Sequence, residues 1–292
     1  MWWFKVYQRA AKGRVLWRVF IFFVVLLVLW SPFALATYGL GYLLGQPQLA
    51  STLSLIALYV CFIGNAWLWG RWGHGWQRPL VSYGLCFARR FWGDAITALF
   101  CGGGLIVALF CGIGLVSVLF GAEVLLGWAS LHPRPLLGIA LEGLVVGIGI
   151  GLAEELLFRG WLLTELRMSL SRRSAIFWSS FVFASAHFIK PLSEVLQTSP
   201  QFLGLFLLGI ILASGRYVSG LERPFSSLGL PLGLHAGLVW GYYIVDVADL
   251  VVPSGRVPEW VTGIHGNPLS GALGVTILGC LAMWSCSKLR SE

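Results

Sequence analysis

The sequence predicts an all-α integral membrane protein, a bundle of about eight transmembrane helices with both termini in the cytoplasm. Composition is the first reason: hydrophobic residues make up 58% of the 292 residues and charged residues only 11%. Soluble chains carry about 25% charged residues, so this chain could not cover a water-facing surface, and a soluble fold is excluded. The second reason is that long apolar runs recur along the whole chain instead of forming one anchor.

The predicted spans are apolar runs of roughly 17–25 residues. Their approximate limits are 17–44 (with a bend near Pro32), 49–70, 95–120, 136–163, 174–189, 201–218, 226–245 and 267–286. No repeat or low-complexity linker divides the chain. It is therefore predicted to form a single polytopic membrane domain, 1–292, with its motif-bearing core at about 136–245.

The basic residues predict the orientation. Although the net charge is +8, Lys and Arg are not gathered in one basic domain, so we expect no nucleic-acid partner. Only Arg134, Lys190 and Arg256 fall in the predicted outer segments, and Arg159 lies within a span. All other basic residues flank the inner ends of the spans, which places both termini in the cytoplasm.

Segment 71–94 is not apolar enough to cross a bilayer. It interleaves tryptophans with arginines, as at Trp72, Trp76 and Trp92. This composition favours a stretch that lies in the inner membrane interface. A solvated loop is the alternative.

Five of the ionisable residues within the predicted spans lie in three short motifs. Glu154, Glu155 and Arg159 lie in the fourth span, His187 in the fifth and His235 in the seventh. Each costs at least about 2.5–3.5 kcal/mol in hydrocarbon, so such residues are expected to have a function. Counted from the cytoplasmic helix ends, Glu154, His187 and His235 lie roughly 14–21 Å deep, which predicts that they meet in one layer. The alternative is structural: an ion pair that locks two helices, and histidines that bond backbone carbonyls.

Helix geometry separates the two glutamates. Glu155 and Arg159 are four residues apart, so they share a face and can pair. Glu154 is rotated by about 100° from Glu155 and has no cation of its own in the motif. A carboxylate in that position suits a general base.

Three glycines precede these charges at steps of four. Gly143, Gly147 and Gly151 form a ridge that permits close contact with a neighbouring helix. A groove for an extended substrate is the alternative interpretation.

Three motifs in this part of the chain resemble those of the CPBP intramembrane proteases. They are Glu-Glu-Leu-Leu-Phe-Arg at 154–159, Phe-Ala-Ser-Ala-His at 183–187 and His-Ala-Gly-Leu-Val at 235–239. The family includes the type II CAAX prenyl endopeptidases and the bacterial abortive-infection and bacteriocin-immunity proteins. The motifs occur in the family's order over about a third of the chain.

The resemblance implies a role for each matching residue. Glu154 would activate water, His187 would help to hold that water, and His235 would help to stabilise the oxyanion. Glu155 and Arg159 would orient the site. Phe183, one turn before His187, would pack against its imidazole.

One position departs from the family. Where the family often has Asn, four residues after His235, this chain has Val239. Losing one oxyanion donor typically costs about 10²–10³ in rate. The Trp240 indole or a backbone N–H is the candidate replacement.

The resemblance implies a mechanism that needs no metal or other cofactor. The alternative is zinc, with Glu154, His187 and His235 as a two-His, one-carboxylate set. However, there is no His-Glu-x-x-His helix, and the six cysteines contain no Cys-x-x-Cys pair.

The sequence therefore predicts a CPBP-type, CAAX prenyl endopeptidase-like intramembrane protease. It would hydrolyse a peptide bond of a membrane-associated or lipid-modified substrate, and its partners would be that peptide or membrane protein and the bilayer. We expect it to be a multi-pass protein of a cell inner membrane or an organellar, thylakoid-type membrane. One alternative is an inactive member of the fold that acts as a scaffold, immunity or assembly factor, and another is a small transporter.

Overall fold

The computed structural model describes residues 2–85, 104–218 and 227–289. It divides into two compact units, Met1–Tyr83 and Gly84–Glu292. The start of the predicted third span and the end of the predicted interfacial segment lie outside the described residues. The single-domain organisation stays a prediction.

The first unit is a helical hairpin with short flanking helices. Helix α1 covers Trp2–Ala11, α2 covers Val15–Leu44 and α3 covers Pro47–Leu68, continued by a π-helical turn, Trp69–Gly73, and followed by α4, Pro79–Ser82. Gly45 ends α2 in the left-handed conformation (φ 64°), and Pro47 begins α3 immediately afterwards. Pro32 lies inside α2, which continues through it.

A buried polar contact stabilises this unit. The Tyr7 hydroxyl donates to Asn65 Oδ1 at 2.7 Å, and Asn65 Nδ2 donates to the Phe22 carbonyl at 3.1 Å. Asn65 is completely buried. Because an unpaired buried amide is costly, the two bonds fix α1 and α3 to α2.

The second unit holds the remaining helices. They are α5 (Leu105–Leu125), α6 (Leu137–Glu155, extended by a π-helical turn Leu156–Leu162 and by α7, Leu163–Arg167), α8 (Arg172–Ala186), α9 (Leu192–Thr198), α10 (Gln201–Val218), α11 (Gly229–Val247), α12 (Glu259–Thr262) and α13 (Ala272–Lys288). Two short antiparallel strands, β1 (Ala129–Leu131) and β2 (Val251–Pro253), pair Ser130 with Val252.

Four described helices are long and apolar enough to cross a membrane. They are Val15–Leu44, Pro47–Gly73, Leu105–Leu125 and Leu137–Arg167. A fifth span results if α9 and α10, bent by 74°, form one broken span. The prediction of a helical membrane protein is confirmed. Each predicted span coincides with a helix, but α8 and α13 have only 15 and 17 residues. The count of eight spans therefore stays a prediction.

Helix α11 lies at the centre of the second unit because glycines let its neighbours approach closely. A Cβ added at Gly147 of α6 would lie 2.6 Å from the Ala236 carbonyl oxygen, and one added at Gly112 of α5 would lie 2.5 Å from the Leu234 carbonyl oxygen. Gly143 and Gly151 also face α11. The glycine ridge therefore serves helix packing, as predicted, and the alternative of an open groove along it is wrong.

Candidate active site

The acidic pair lies where α6 changes its hydrogen-bonding pattern. Glu154 and Glu155 end the α-helix, and Arg159 lies in the following π-helical turn, Leu156–Leu162. Such turns often occur at functional sites. The two glutamates project differently, since Glu155 is completely buried whereas the Glu154 side chain is 26% exposed.

The Glu155 carboxylate contacts both the Arg159 guanidinium and the His235 imidazole. Its Oε1 accepts a hydrogen bond from Arg159 Nη1 at 2.8 Å and lies 2.8 Å from His235 Nδ1. Arg159 is completely buried, and its Nη2 also donates to the Gly209 carbonyl at 3.5 Å. The Glu155–Arg159 pair predicted from the sequence is confirmed, and it also holds the His235 ring.

His187 is oriented by the end of its own helix. It follows the last residue of α8, and its Nδ1 lies 2.8 Å from the Phe183 carbonyl oxygen. Because a carbonyl oxygen only accepts hydrogen bonds, this contact places a proton on Nδ1. The Nε2 atom is then left for contacts within the site.

Phe183 packs between the two histidines and the arginine. Its ring lies 4.8 Å from the His187 ring and 6.1 Å from the His235 ring, centroid to centroid. The predicted contact with His187 is therefore present. The Arg159 guanidinium lies 4.1 Å from the same ring, in cation–π geometry. Phe183, which is completely buried, thus holds three polar side chains of the site in place.

Glu154 faces both histidines. Its Oε2 lies 3.9 Å from His187 Nε2 and 4.0 Å from His235 Nε2. This oxygen is buried, and it has no hydrogen-bond partner among the described residues. The three side chains that the depth argument placed in one layer therefore meet, although their roles stay predictions.

A cavity of about 360 Å³ opens at this point. Glu154, His187, His235 and Phe183 line it, together with mainly aliphatic side chains of α5, α10, α11 and α13. A cavity of this size accommodates a few apolar side chains or part of a lipid chain.

The structure corrects one expectation about the oxyanion site. The Trp240 indole N–H donates to the Ala140 carbonyl at 2.8 Å, so it is used in helix packing and is not a spare donor. Val239 lines the cavity, so the Asn side chain that the family often has at this position would line the same cavity. The backbone alternative stays a prediction.

Among residues 2–85, 104–218 and 227–289, no group of three His, Cys, Asp or Glu side chains is arranged to hold a metal ion. In the candidate site, the His187 and His235 Nε2 atoms lie 3.9 and 4.0 Å from the Glu154 carboxylate. The expectation of a cofactor-free mechanism stays a prediction.

Sequence reasoning missed two polar side chains that line the cavity, Gln201 and Asn267. Gln201 begins α10, and Asn267 caps the short turn Pro268–Ser270. A polar residue at the start of an apolar run was the available signal for Gln201. Asn267 had none, because its position depends on how the loop before α13 folds back.

The fold and the site define a helical membrane protein with a buried Glu, His and Arg cluster beside an apolar cavity. Residues 135–241 match a family model described as type II CAAX prenyl endopeptidase Rce1-like. This segment, less than half of the chain, includes all three motifs, and the resemblance to the CPBP family is confirmed. No curated protein and no solved structure matches the chain.

Proposed function

We propose that this protein is an intramembrane endopeptidase that hydrolyses a peptide bond of a membrane-associated or lipid-modified substrate with water activated by Glu154. The observation that carries the proposal is the position of Glu154 Oε2. This oxygen is buried, has no hydrogen-bond partner in the described part of the chain and is about equally far from two imidazole Nε2 atoms. Separations of 3.9 and 4.0 Å are too long for direct hydrogen bonds and suit a bridging water.

The hydrogen bonds of the two histidines favour different roles. The Phe183 carbonyl fixes the proton of His187 on Nδ1, so neutral His187 presents an Nε2 lone pair that accepts a hydrogen bond from the water. His235 Nδ1 donates to Glu155 Oε1 at 2.8 Å, which leaves the Nε2 atom of the ring on the side of Glu154. Protonated His235 would then donate from Nε2 to a developing oxyanion.

The proposed reaction balances with these groups alone. Glu154 takes a proton from the water while the water oxygen bonds to the substrate carbonyl carbon. The electrons of the carbonyl double bond move to the carbonyl oxygen. His235 stabilises the resulting oxyanion. The C–N bond then breaks, and Glu154 returns the proton to the leaving nitrogen, which gives a carboxylic acid and an amine. The reaction needs no cofactor.

The cavity wall supports an apolar substrate. Apart from Glu154, His187 and His235, its lining is mostly aliphatic and aromatic. Prenylated C-terminal peptides are one class that such a wall would take, as the family description suggests. Apolar transmembrane peptides are the other.

The test compares purified wild type with Glu154→Gln in lipid vesicles. Prenylated and transmembrane peptides are supplied, and products are identified by mass spectrometry. We expect cleavage to fall by about 10²-fold or more, since a general base contributes about 10²–10⁴. Glu142→Gln is the matched control, because Glu142 is exposed on the same helix. Equal cleavage by wild type and Glu154→Gln would overturn the role of Glu154.

Val239 and Trp240 favour a second candidate, an inactive member of the fold that acts as a scaffold, immunity or assembly factor. Neither residue supplies the side-chain donor that the oxyanion would need. This candidate predicts that Glu154→Ala and His187→Ala restore a deletion phenotype as fully as wild type. Loss of complementation in both variants, with normal protein levels, would exclude it.

We further propose eight spans with both termini in the cytoplasm of a cell inner membrane or an organellar membrane. The alternation of Lys and Arg between the predicted inner and outer segments supports this topology. Single cysteines placed at positions 134, 190 and 256 in a cysteine-free chain should react with an impermeant thiol reagent added from outside. Labelling of these positions only after permeabilisation would reject it.

A further inference from the structure

A second, smaller pocket of about 90 Å³ lies at the ends of α5 and α11. Three acidic residues line it, Glu123, Asp246 and Asp249, and no basic side chain of the described residues does so. Asp246 and Asp249 are exposed, whereas Glu123 is only 3% exposed. The pocket therefore extends from an acidic rim to a buried carboxyl group.

The buried carboxyl group indicates a ligand. Glu123 Oε1 is shielded from solvent and has no hydrogen-bond partner within the described part of the chain. A buried carboxyl oxygen without a partner costs free energy, which a bound donor would recover. Because Glu123 lines a pocket with two further carboxyl groups, a cationic donor fits best.

The arrangement favours an organic cation over a metal ion. No three acidic, His or Cys side chains in the described ranges are placed to hold a metal, and this includes the three carboxyl groups here. They surround a space that accepts a primary ammonium or a guanidinium group with a little water. Such groups carry several donors that point in different directions.

The pocket adjoins the candidate active site. Phe120 and Tyr242 line both the small pocket and the large cavity. The Tyr242 hydroxyl donates to Asp246 Oδ1 at 3.4 Å. His235 and Asp246 lie on the same helix, eleven residues apart in the numbering, which corresponds to about 16 Å along its axis. An extended peptide covers that distance in about four or five residues.

We propose that the pocket formed by Glu123, Asp246 and Asp249 binds the Lys or Arg side chain of a peptide substrate, about four or five residues from the cleaved bond. This inference rests on the proposed peptidase function for its substrate. Binding itself does not require catalysis. A basic residue at that distance from an apolar segment is the feature that the pocket would select.

Binding is measured with full-length Glu154→Gln in lipid nanodiscs, so that cleavage does not interfere. The probes are short, apolar, end-blocked peptides in which a single Lys is moved along the sequence, each compared with its norleucine counterpart. We expect Lys to strengthen binding about tenfold at one or two adjacent positions. The advantage should disappear when Glu123→Gln is added.

Two further variants keep the result interpretable. Asp249→Asn should reduce the Lys advantage without disturbing the fold, since Asp249 is exposed and has a φ of 46°, which Asn also adopts readily. Glu194→Gln, an exposed acidic residue of α9 that lines neither cavity, should leave it unchanged. Equal binding of Lys and norleucine peptides, or no binding of either, overturns the proposal.

Cleavage of the same peptides by the chain with an intact Glu154 distinguishes the two hypotheses. Preferential binding of Lys peptides without cleavage would contradict the peptidase function and leave the basic-residue site supported. Cleavage that ignores the Lys position and the Glu123→Gln change would support the peptidase and overturn the site.

Discussion

Replacement of Phe183 by Leu tests whether its ring holds the site together. Phe183 contacts the Arg159 guanidinium at 4.1 Å, the Phe158 ring at 5.2 Å and the His187 ring at 4.8 Å. Leu keeps most of the apolar volume of Phe. Because lipid is as apolar as Leu, the transfer of the side chain to hydrocarbon contributes little to the change in the free energy of unfolding. The loss of stability comes from one desolvated cation–π contact, worth about 2 kcal/mol, and from two ring contacts worth about 0.5–1.5 kcal/mol each.

We therefore expect Phe183→Leu to lower the free energy of unfolding by about 3–5 kcal/mol, measured by denaturant titration in mixed micelles. Phe181→Leu is the matched control: Phe181 lies on the same helix, is 40% exposed, and its ring packs against Phe177, Trp178 and Phe202. It should cost about 1.5 kcal/mol, because its three ring contacts are partly exposed and each contributes about 0.5 kcal/mol, the low end of the range. Equal destabilisation by the two substitutions would refute the cation–π argument.

Two further predictions concern packing and buried hydrogen bonding. Gly147→Ala should destabilise the second unit by about 1–3 kcal/mol, since the new methyl group meets the Ala236 carbonyl at 2.6 Å; thermal unfolding in detergent measures this. Tyr7→Phe should cost about 1–3 kcal/mol because it leaves buried Asn65 without its donor. Burial raises the pKa of Tyr7 to about 12, so its contribution is complete below about pH 10 and is lost as the pH rises towards 12.

Each of these predictions has a control substitution that should leave the stability unchanged. Gly149→Ala, where an added Cβ meets nothing within 4 Å, should leave the unfolding temperature unchanged. Tyr38→Phe, at an exposed residue, should retain wild-type stability. A Gly147→Ala protein as stable as Gly149→Ala would contradict the close approach of α6 and α11. A wild-type protein whose free energy of unfolding falls no more between pH 10 and 12 than that of Tyr7→Phe would contradict the buried bond.

Much of the fold was predictable because apolar runs and helices coincide. The apolar run at 17–44 coincides with the helix Val15–Leu44, and the run at 136–163 coincides with the helix Leu137–Arg167. The charge pair at Glu155 and Arg159 followed from helical spacing. The depth estimate also placed Glu154 near the two histidines.

The remaining features depend on contacts between distant segments. The π-helical turn at Leu156–Leu162 changes backbone hydrogen bonding and has no hydropathy signal. Pairing of Ser130 with Val252 joins segments far apart in the sequence. Trp240 could be read as a free donor until packing placed the Ala140 carbonyl beside it. The acidic pocket likewise combines residues from several loops and helices.

The glycine contacts of α11 have a consequence for how a substrate enters. Helix α11, which carries His235, has backbone against it on two sides, from α5 through Gly112 and from α6 through Gly147. Sliding or tilting it would force backbone atoms into one another. We therefore expect the entrance to open on the opposite wall, where Leu205 of α10 and Leu278 of α13 line the cavity through side chains that can repack. The half of the site that positions the histidine would stay rigid, and the other half would admit the proposed peptide substrate.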